Sequence, residues 1–208
     1  MTQGFDKDYW ESHWQQANEH GAGRQLAPNP YLARETSGLV PGTALDAGCG
    51  EGAEAIWLAT AGWQVTAADI STEVLSRASA RTTTGGSAPG RVRWLETDLS
   101  VWKPAERFDL VTTHYAHPAM PQLAFYERIS DWVAPGGTLL IVGHLHTPGH
   151  GHGHGHQPPE EASATAASIT AGLDATRWDV VTAEEHIRTL ANRAAPLHDV
   201  VVRATRRP

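Results

Sequence analysis

The stretch Ala44-Leu45-Asp46-Ala47-Gly48-Cys49-Gly50-Glu51-Gly52 decides the fold. Thr43–Ala47 is a short apolar run of strand type, and Ala53–Ala61 reads as a helix that Gly62 ends. A strand feeding a helix through a glycine-rich turn opens a βαβ unit, because glycine lets the backbone turn sharply and approach a ligand closely. The next strand, Gln64–Ala68, closes on Asp69, 19 positions after Gly50. A carboxylate there can accept hydrogen bonds from ribose hydroxyls. A glycine loop alone carries little weight; loop, acid and βαβ context together carry much more.

Working outward, Val92–Leu95, Phe108–Thr112 and Thr138–Val142 read as a third, fourth and fifth strand. Residues 5–20, with Tyr9, Trp10 and Trp14, look helical, as do 72–81 and 160–173. Ser71 is placed as an N-cap, with Glu73 in the first turn behind it. Pro121 suits the first turn of a helix that runs to about Val133, where Pro135-Gly136-Gly137 breaks it. Pro28, Pro30, Pro41 and Gly42 interrupt the chain before the first strand. The last apolar runs, Trp178–Thr182 and His198–Ala204, lie close enough to pair antiparallel. The pattern predicts an α/β fold: a Rossmann-like, seven-stranded, mostly parallel sheet, helices on both faces, last strand antiparallel.

Composition bounds the function. The 208 residues are 40% hydrophobic, enough for a core, and the formal net charge of −7 argues against nucleic-acid or polybasic membrane partners. No window of about 18 apolar residues exists, and Met1 to Trp14 holds no apolar core of a signal peptide. Cys49 is the sole cysteine, so neither a disulfide framework nor a cysteine zinc site forms within one chain. These features lead one to expect a cytoplasmic globular protein.

Two nucleotide readings compete at the loop. Gly48, Gly50 and Ala53 fit G-x-G-x-x-A, the dinucleotide fingerprint of an NAD-dependent oxidoreductase. Asp46 separates them: a carboxylate in the loop repels pyrophosphate but suits a cationic amino-acid moiety, and S-adenosylmethionine (SAM) carries an ammonium and a sulfonium and no phosphate. Thr97-Asp98-Leu99, after the third strand, adds a carboxylate that can accept from an adenine amine.

With ALDAGCGEG, VTAADIS, ETDLS, FDLVTTHYAH and VAPGGTLLIVG in place, the chain resembles class I SAM-dependent methyltransferases from Thr43 to Val142. The resemblance implies SAM as cofactor, with Asp46, Gly48, Cys49 and Gly50 at its methionine part. It implies Asp69 at the ribose, Ile70 against the adenine, Asp98 and Leu99 at the adenine rim, and His114 facing the cofactor. The Trp10-x-x-x-Trp14 spacing resembles the thiopurine and tellurite methyltransferase branch, in which these aromatics cover the cofactor. The expected organisation is an N-terminal helical lid segment over 1–42 and a SAM-binding domain over 43–208, with a His-Gly-rich loop at 144–159.

The 12 histidines depart from that branch. His114 and His117 follow the fourth strand, and His144 and His146 the fifth; parallel neighbours bring both pairs to one carboxyl edge. Methyl transfer from a sulfonium is an in-line displacement, and a hydroxyl acceptor also needs a base, a role that imidazole suits near neutral pH. His144 ranks first for it, His117 second and His114 third, because His144 directly follows an apolar strand. Tyr115, His117, His144 and His146 are the candidate acceptor-binding residues. The His150–His156 run of alternating His and Gly reads as a mobile loop that binds metals opportunistically, and no metal is expected in catalysis. The expected activity is O-methylation of a small molecule, leaning to a sugar or glycoside hydroxyl on which Trp10 and Tyr115 could stack. The alternatives are an NAD-dependent oxidoreductase and a non-catalytic SAM- or metal-binding module.

Overall fold

A computed structural model describes residues 5–19, 27–84, 90–145, 164–189 and 196–208. Seven strands form one sheet in the order β3-β2-β1-β4-β5-β7-β6. These are β1 (Thr43–Ala47), β2 (Gln64–Asp69), β3 (Val92–Glu96), β4 (Phe108–His114), β5 (Val133–His144), β6 (Trp178–Arg188) and β7 (Leu197–Arg206). β1 pairs in parallel with β2 and β4, and β4 with β5, whereas β7 runs against both of its neighbours. The predicted architecture is the one observed.

Apolar residues alternate between the faces of each strand, as a pleated sheet requires. One face packs Leu45, Val111, Leu139 and Ile141 against Phe125 and Ile129 of α5 (Gln122–Ser130) and Ile169 of α6 (Ala166–Ala171). The other packs Leu110, Leu140, Val142 and Val201 against Leu32 of α2 (Pro30–Thr36), Leu58 of α3 (Ala53–Thr60) and Val74 of α4 (Thr72–Thr84). Burial on both faces explains why β1 and β4 read as continuous apolar runs. Strand order reverses between β1 and β4, which opens a crevice at their carboxyl ends, the place where such sheets bind ligands.

The structure corrects several boundaries. The prolines before β1 do not simply interrupt the chain: Pro30 is the first residue of α2, and the Asn29 side chain caps it by accepting from the Tyr31 N–H at 3.1 Å. α5 ends at Ser130 rather than near Val133, and β5 already begins at Val133. The Phe108 N–H donates to the Trp132 carbonyl, drawing that segment alongside β4, and a register shift follows as the chain passes Pro135-Gly136-Gly137. β6 continues past Thr182 to Arg188; as an edge strand it leaves most side chains exposed, so its second half carries no apolar pattern. α6 covers Ala166–Ala171, started by a Thr165–Ser168 capping box, and residues 160–163 of the expected 160–173 helix lie outside the described residues. His144 is the last residue of β5, not the start of a loop. Residues 146–159 of the His-Gly-rich loop, including His146 and the His150–His156 run, lie outside the described residues. No described helix is long and apolar enough to cross a membrane.

Candidate active site

The glycine loop is held by its own backbone. After β1 the N–H groups of Gly48 and Cys49 both donate to the Ala68 carbonyl, at 2.8 and 3.0 Å, turning the chain across the end of β2 into α3. Gly48 adopts φ +79°, and a Cβ there would lie 2.3 Å from the Ala116 Cβ. Gly48→Ala should therefore lower stability by about 1–3 kcal/mol, the scale of a strained backbone position. An unchanged Tm would show that the loop can relax around a side chain.

Asp69, at the end of β2, pins this loop. Its Oδ2 accepts from the Gly50 N–H at 2.9 Å, and its Oδ1 accepts from the Ser71 N–H at 3.0 Å. Ser71 caps α4 as expected, its Oγ accepting from the Val74 N–H. Ile70, between them, is half-buried.

Asp46 is 1% exposed, and its Oδ2 has no hydrogen-bond partner among the described residues. Burial first, then the neighbouring charges of Glu54 and Asp69, push its pKa well above the usual carboxylate value, while the Ala55 N–H works the other way. A buried carboxylate oxygen without a partner, beside two more acids, is an arrangement that a cation would relieve. Burial likewise raises the Cys49 thiol, so it is no thiolate nucleophile.

Asp98 turns the chain after β3, its Oδ1 accepting from the Ser100 N–H at 2.8 Å and its carbonyl from the Trp102 N–H. That turn drives the Leu99 side chain into the core with Ala68, Val111 and Phe125.

α1 (Lys7–Glu19) lies across the loop. Glu11 accepts from the Ser71 hydroxyl and the Thr72 N–H at the start of α4, Lys7 pairs with Glu96, and Arg77 donates to the Trp14 carbonyl. The Trp14 ring covers Gly50, 3.3 Å from where a Cβ would stand, and its buried Nε1 has no hydrogen-bond partner among the described residues. The Trp10 indole N–H donates to the His117 carbonyl. A row of rings results, with centroid separations of 6.5 Å for Trp14–Trp10, 6.0 Å for Trp10–Phe5 and 5.7 Å for Phe5–His117. It continues with His117–His144 at 5.9 Å and His144–Tyr115 at 4.3 Å.

The three described histidines of the carboxyl edge differ sharply. His114 ends β4 half-buried; Nδ1 is 3.4 Å from the Thr112 hydroxyl, and the enclosed Nε2 has no hydrogen-bond partner among the described residues. Burial lowers its pKa, and Glu54 opposes that shift. His117 is 8% exposed, and its Nδ1 lies 3.1 Å from the Gln122 Oε1. The Gln122 Nε2 donates to the Ala116 carbonyl, which turns Oε1 toward the imidazole. An acceptor facing Nδ1 places the proton on Nδ1 and leaves the Nε2 lone pair available. Burial lowers the His117 pKa, against the pull of the Gln122 bond. His144 is stacked between Tyr115 and His117.

Two residues, Gln122 and Asp199, join those expected at this edge. Gln122 is an ordinary polar residue in the first turn of a helix, and only the fold shows what it does. Tyr115 has φ +56°; its hydroxyl donates to Asp199 and accepts from Asn29 and Arg188. Asp199, a lone acid in the apolar run His198–Ala204, is the one that could have been flagged. No group of three or more metal-ligating side chains occurs among the described residues.

Comparison with known proteins agrees with this fold. Residues 44–137 match the family model described as a methyltransferase domain. The chain is 31% identical over 137 residues to a probable thiol methyltransferase 2 of Arabidopsis thaliana, covering 63% of this chain and 59% of that protein. It is 32% identical over 135 residues to a trans-aconitate 2-methyltransferase of Streptomyces avermitilis, covering 60% of this chain and 46% of that one. The chain thus spans about half the length of these relatives. Among solved structures, TehB from Haemophilus influenzae superposes with a TM-score of 0.70 over 97% of this chain and 67% of its own, at 14% identity. At that identity the likeness to TehB is one of fold. The fold and the glycine loop are similar to those of SAM-dependent methyltransferases.

Proposed function

We propose that this protein is a SAM-dependent methyltransferase that methylates a hydroxyl of a small molecule, with neutral His117 taking the proton. One observation carries the reading: His117 is buried beside the glycine-loop crevice, with Nδ1 held by Gln122 and Nε2 left as an acceptor. Its neighbour His144 then orients the acceptor or the base rather than acting as the base itself.

When bound, SAM supplies an electrophilic methyl group on a sulfonium. Asp46 offers its unpartnered oxygen to the ammonium. Gly48, Cys49 and Gly50 leave the backbone bare for the methionine part. Asp69 retains lone pairs for the ribose beyond those used by Gly50 and Ser71, and Ile70 and Asp98 flank the adenine. Trp10 and Trp14 close the site against water, which strengthens the electrostatics inside it. The Tyr115–His144–His117 row gives a flat ring or sugar face something to stack on.

A second reading, a thiol acceptor, is favoured by the identity to a protein named as a thiol methyltransferase. A thiol ionises near neutrality and depends less on a base. Calorimetry with SAM, S-adenosylhomocysteine (SAH) and NAD tests the cofactor, and labelled SAM with panels of alcohols, phenols, thiols and amines tests the acceptor. SAM and SAH should bind with micromolar affinity and raise the Tm. NAD binding without SAM binding would remove the assignment.

A further inference from the structure

We propose that Asp199, with Arg188, is a positioning residue for the acceptor site: it locks Tyr115, whose ring in turn holds the His144 imidazole. The inference rests on the methyltransferase reading above.

Asp199 is wholly buried on β7, directly opposite His144 of β5 and His186 of β6. Its Oδ1 accepts from the Tyr115 hydroxyl at 2.9 Å. Its Oδ2 accepts from the Tyr31 hydroxyl at 3.1 Å and from the Arg188 Nε at 2.9 Å. Arg188 spends a second N–H on the Tyr115 oxygen at 3.1 Å, and Asn29 donates to the same oxygen at 3.2 Å. The Tyr115 hydroxyl is therefore fixed by three partners from three different elements of the chain.

A cohesive fold does not require this. The next three residues of β7, Val200, Val201 and Val202, are fully buried and apolar, and another apolar side chain at 199 would continue that core. A buried ion pair costs desolvation that well-packed apolar residues of the same volume avoid. Tyr115 adds a second cost, because φ +56° is rare for a bulky aromatic residue. Two unfavourable features meet at one side chain, and that side chain stacks on His144 at 4.3 Å and 23°. His144 is 5.9 Å from His117, ring to ring. Pinning Tyr115 restricts rotation of the His144 ring and so fixes the wall of the acceptor site next to His117. Asn29 also ties the assembly to α3, since its N–H donates to Glu54, a neighbour of Asp46.

The test uses Asp199→Asn and Tyr115→Phe in the full chain, with NMR of the histidine rings, SAH calorimetry and turnover. In the wild type the stacked Tyr115 should displace the His144 ring protons upfield. Asp199→Asn places a donor among the donors Tyr31, Tyr115 and Arg188, so that displacement should shrink. kcat should fall about tenfold or more, the scale of a small misplacement at a reacting site, with SAH affinity unchanged. Tyr115→Phe keeps the ring and the Asp199 bonds to Arg188 and Tyr31, so it should fold even if Asp199→Asn does not, and should act in the same direction. Unchanged His144 signals and unchanged kcat with a lowered Tm would overturn the proposal and leave a structural ion pair only. A wild type that does not bind SAH would defeat the methyltransferase reading, whereas the ring signals would still report on positioning.

Discussion

His117→Ala should lower kcat by about 10²–10⁴-fold, the usual contribution of a general base, and leave SAH affinity nearly unchanged. The expectation follows from the tautomer. Gln122 is itself oriented by its bond to the Ala116 carbonyl, so it presents an acceptor to Nδ1 and leaves Nε2 free to receive a proton. A neutral imidazole is the competent form, and the rate should rise with pH through the His117 pKa. Burial holds that pKa below the ordinary histidine value, so the acid limb should lie below about pH 6.5. Gln122→Leu should cost less than His117→Ala, because the base remains but its tautomer is no longer selected. A His117→Ala enzyme with normal kcat would remove it from the role. If His144→Ala then showed the large loss, the base would be the residue at the end of β5. If neither did, alignment alone would carry the reaction, and a thiolate acceptor would be the better reading.

Asp46→Asn should weaken SAM binding by about 10–100-fold, the scale of losing a hydrogen bond to a charged group, and yet stabilise the ligand-free protein at neutral pH. The two effects have one origin. The folded carboxyl has a pKa raised by burial and by Glu54 and Asp69. The folded state therefore keeps this proton at pH values where the unfolded chain has released it, and stability falls as pH rises above the ordinary carboxylate range. Asparagine has no charge to bury, so its Tm should exceed the wild-type value by a few degrees at neutral pH, at about 2–4 °C per kcal/mol for a chain of this size. The gap should close in acid, below the unfolded carboxylate pKa. Thermal unfolding across pH and SAM calorimetry check both arms. Unchanged affinity together with a lower Tm at neutral pH would mean that Asp46 is paired in a way unrelated to a ligand.

The glycine loop was legible in the sequence because its requirements are local. The positive φ of Gly48, Gly50 and Gly52 favours glycine over any other residue, and the acid at position 69 stands where a strand of ordinary length must end. Alternating apolar runs announced the sheet, since burial on one or both faces dictates period and composition. Local rules failed where two structures share one composition. Pro30 reads as a break in isolation but opens α2 once Asn29 caps it, and the second half of β6 shows no apolar period because an edge strand has little to bury.

The sequence by itself thus determined the class of fold, the glycine loop between β1 and α3 and the edge at which His114, His117 and His144 gather. Tertiary structure decided what each histidine can do. Spacing made His144 the leading base because it follows a rigid strand, but rigidity says nothing of protonation; the Gln122 contact, formed when the turn after β4 folds onto α5, is what orients His117. Tyr115 and Asp199 are 84 positions apart, and Tyr31 and Asp199 168 apart. Such contacts depend on the order of strands in the sheet, which places β7 beside β5, and no pattern of near neighbours along the chain encodes which hydroxyl a buried carboxylate will meet.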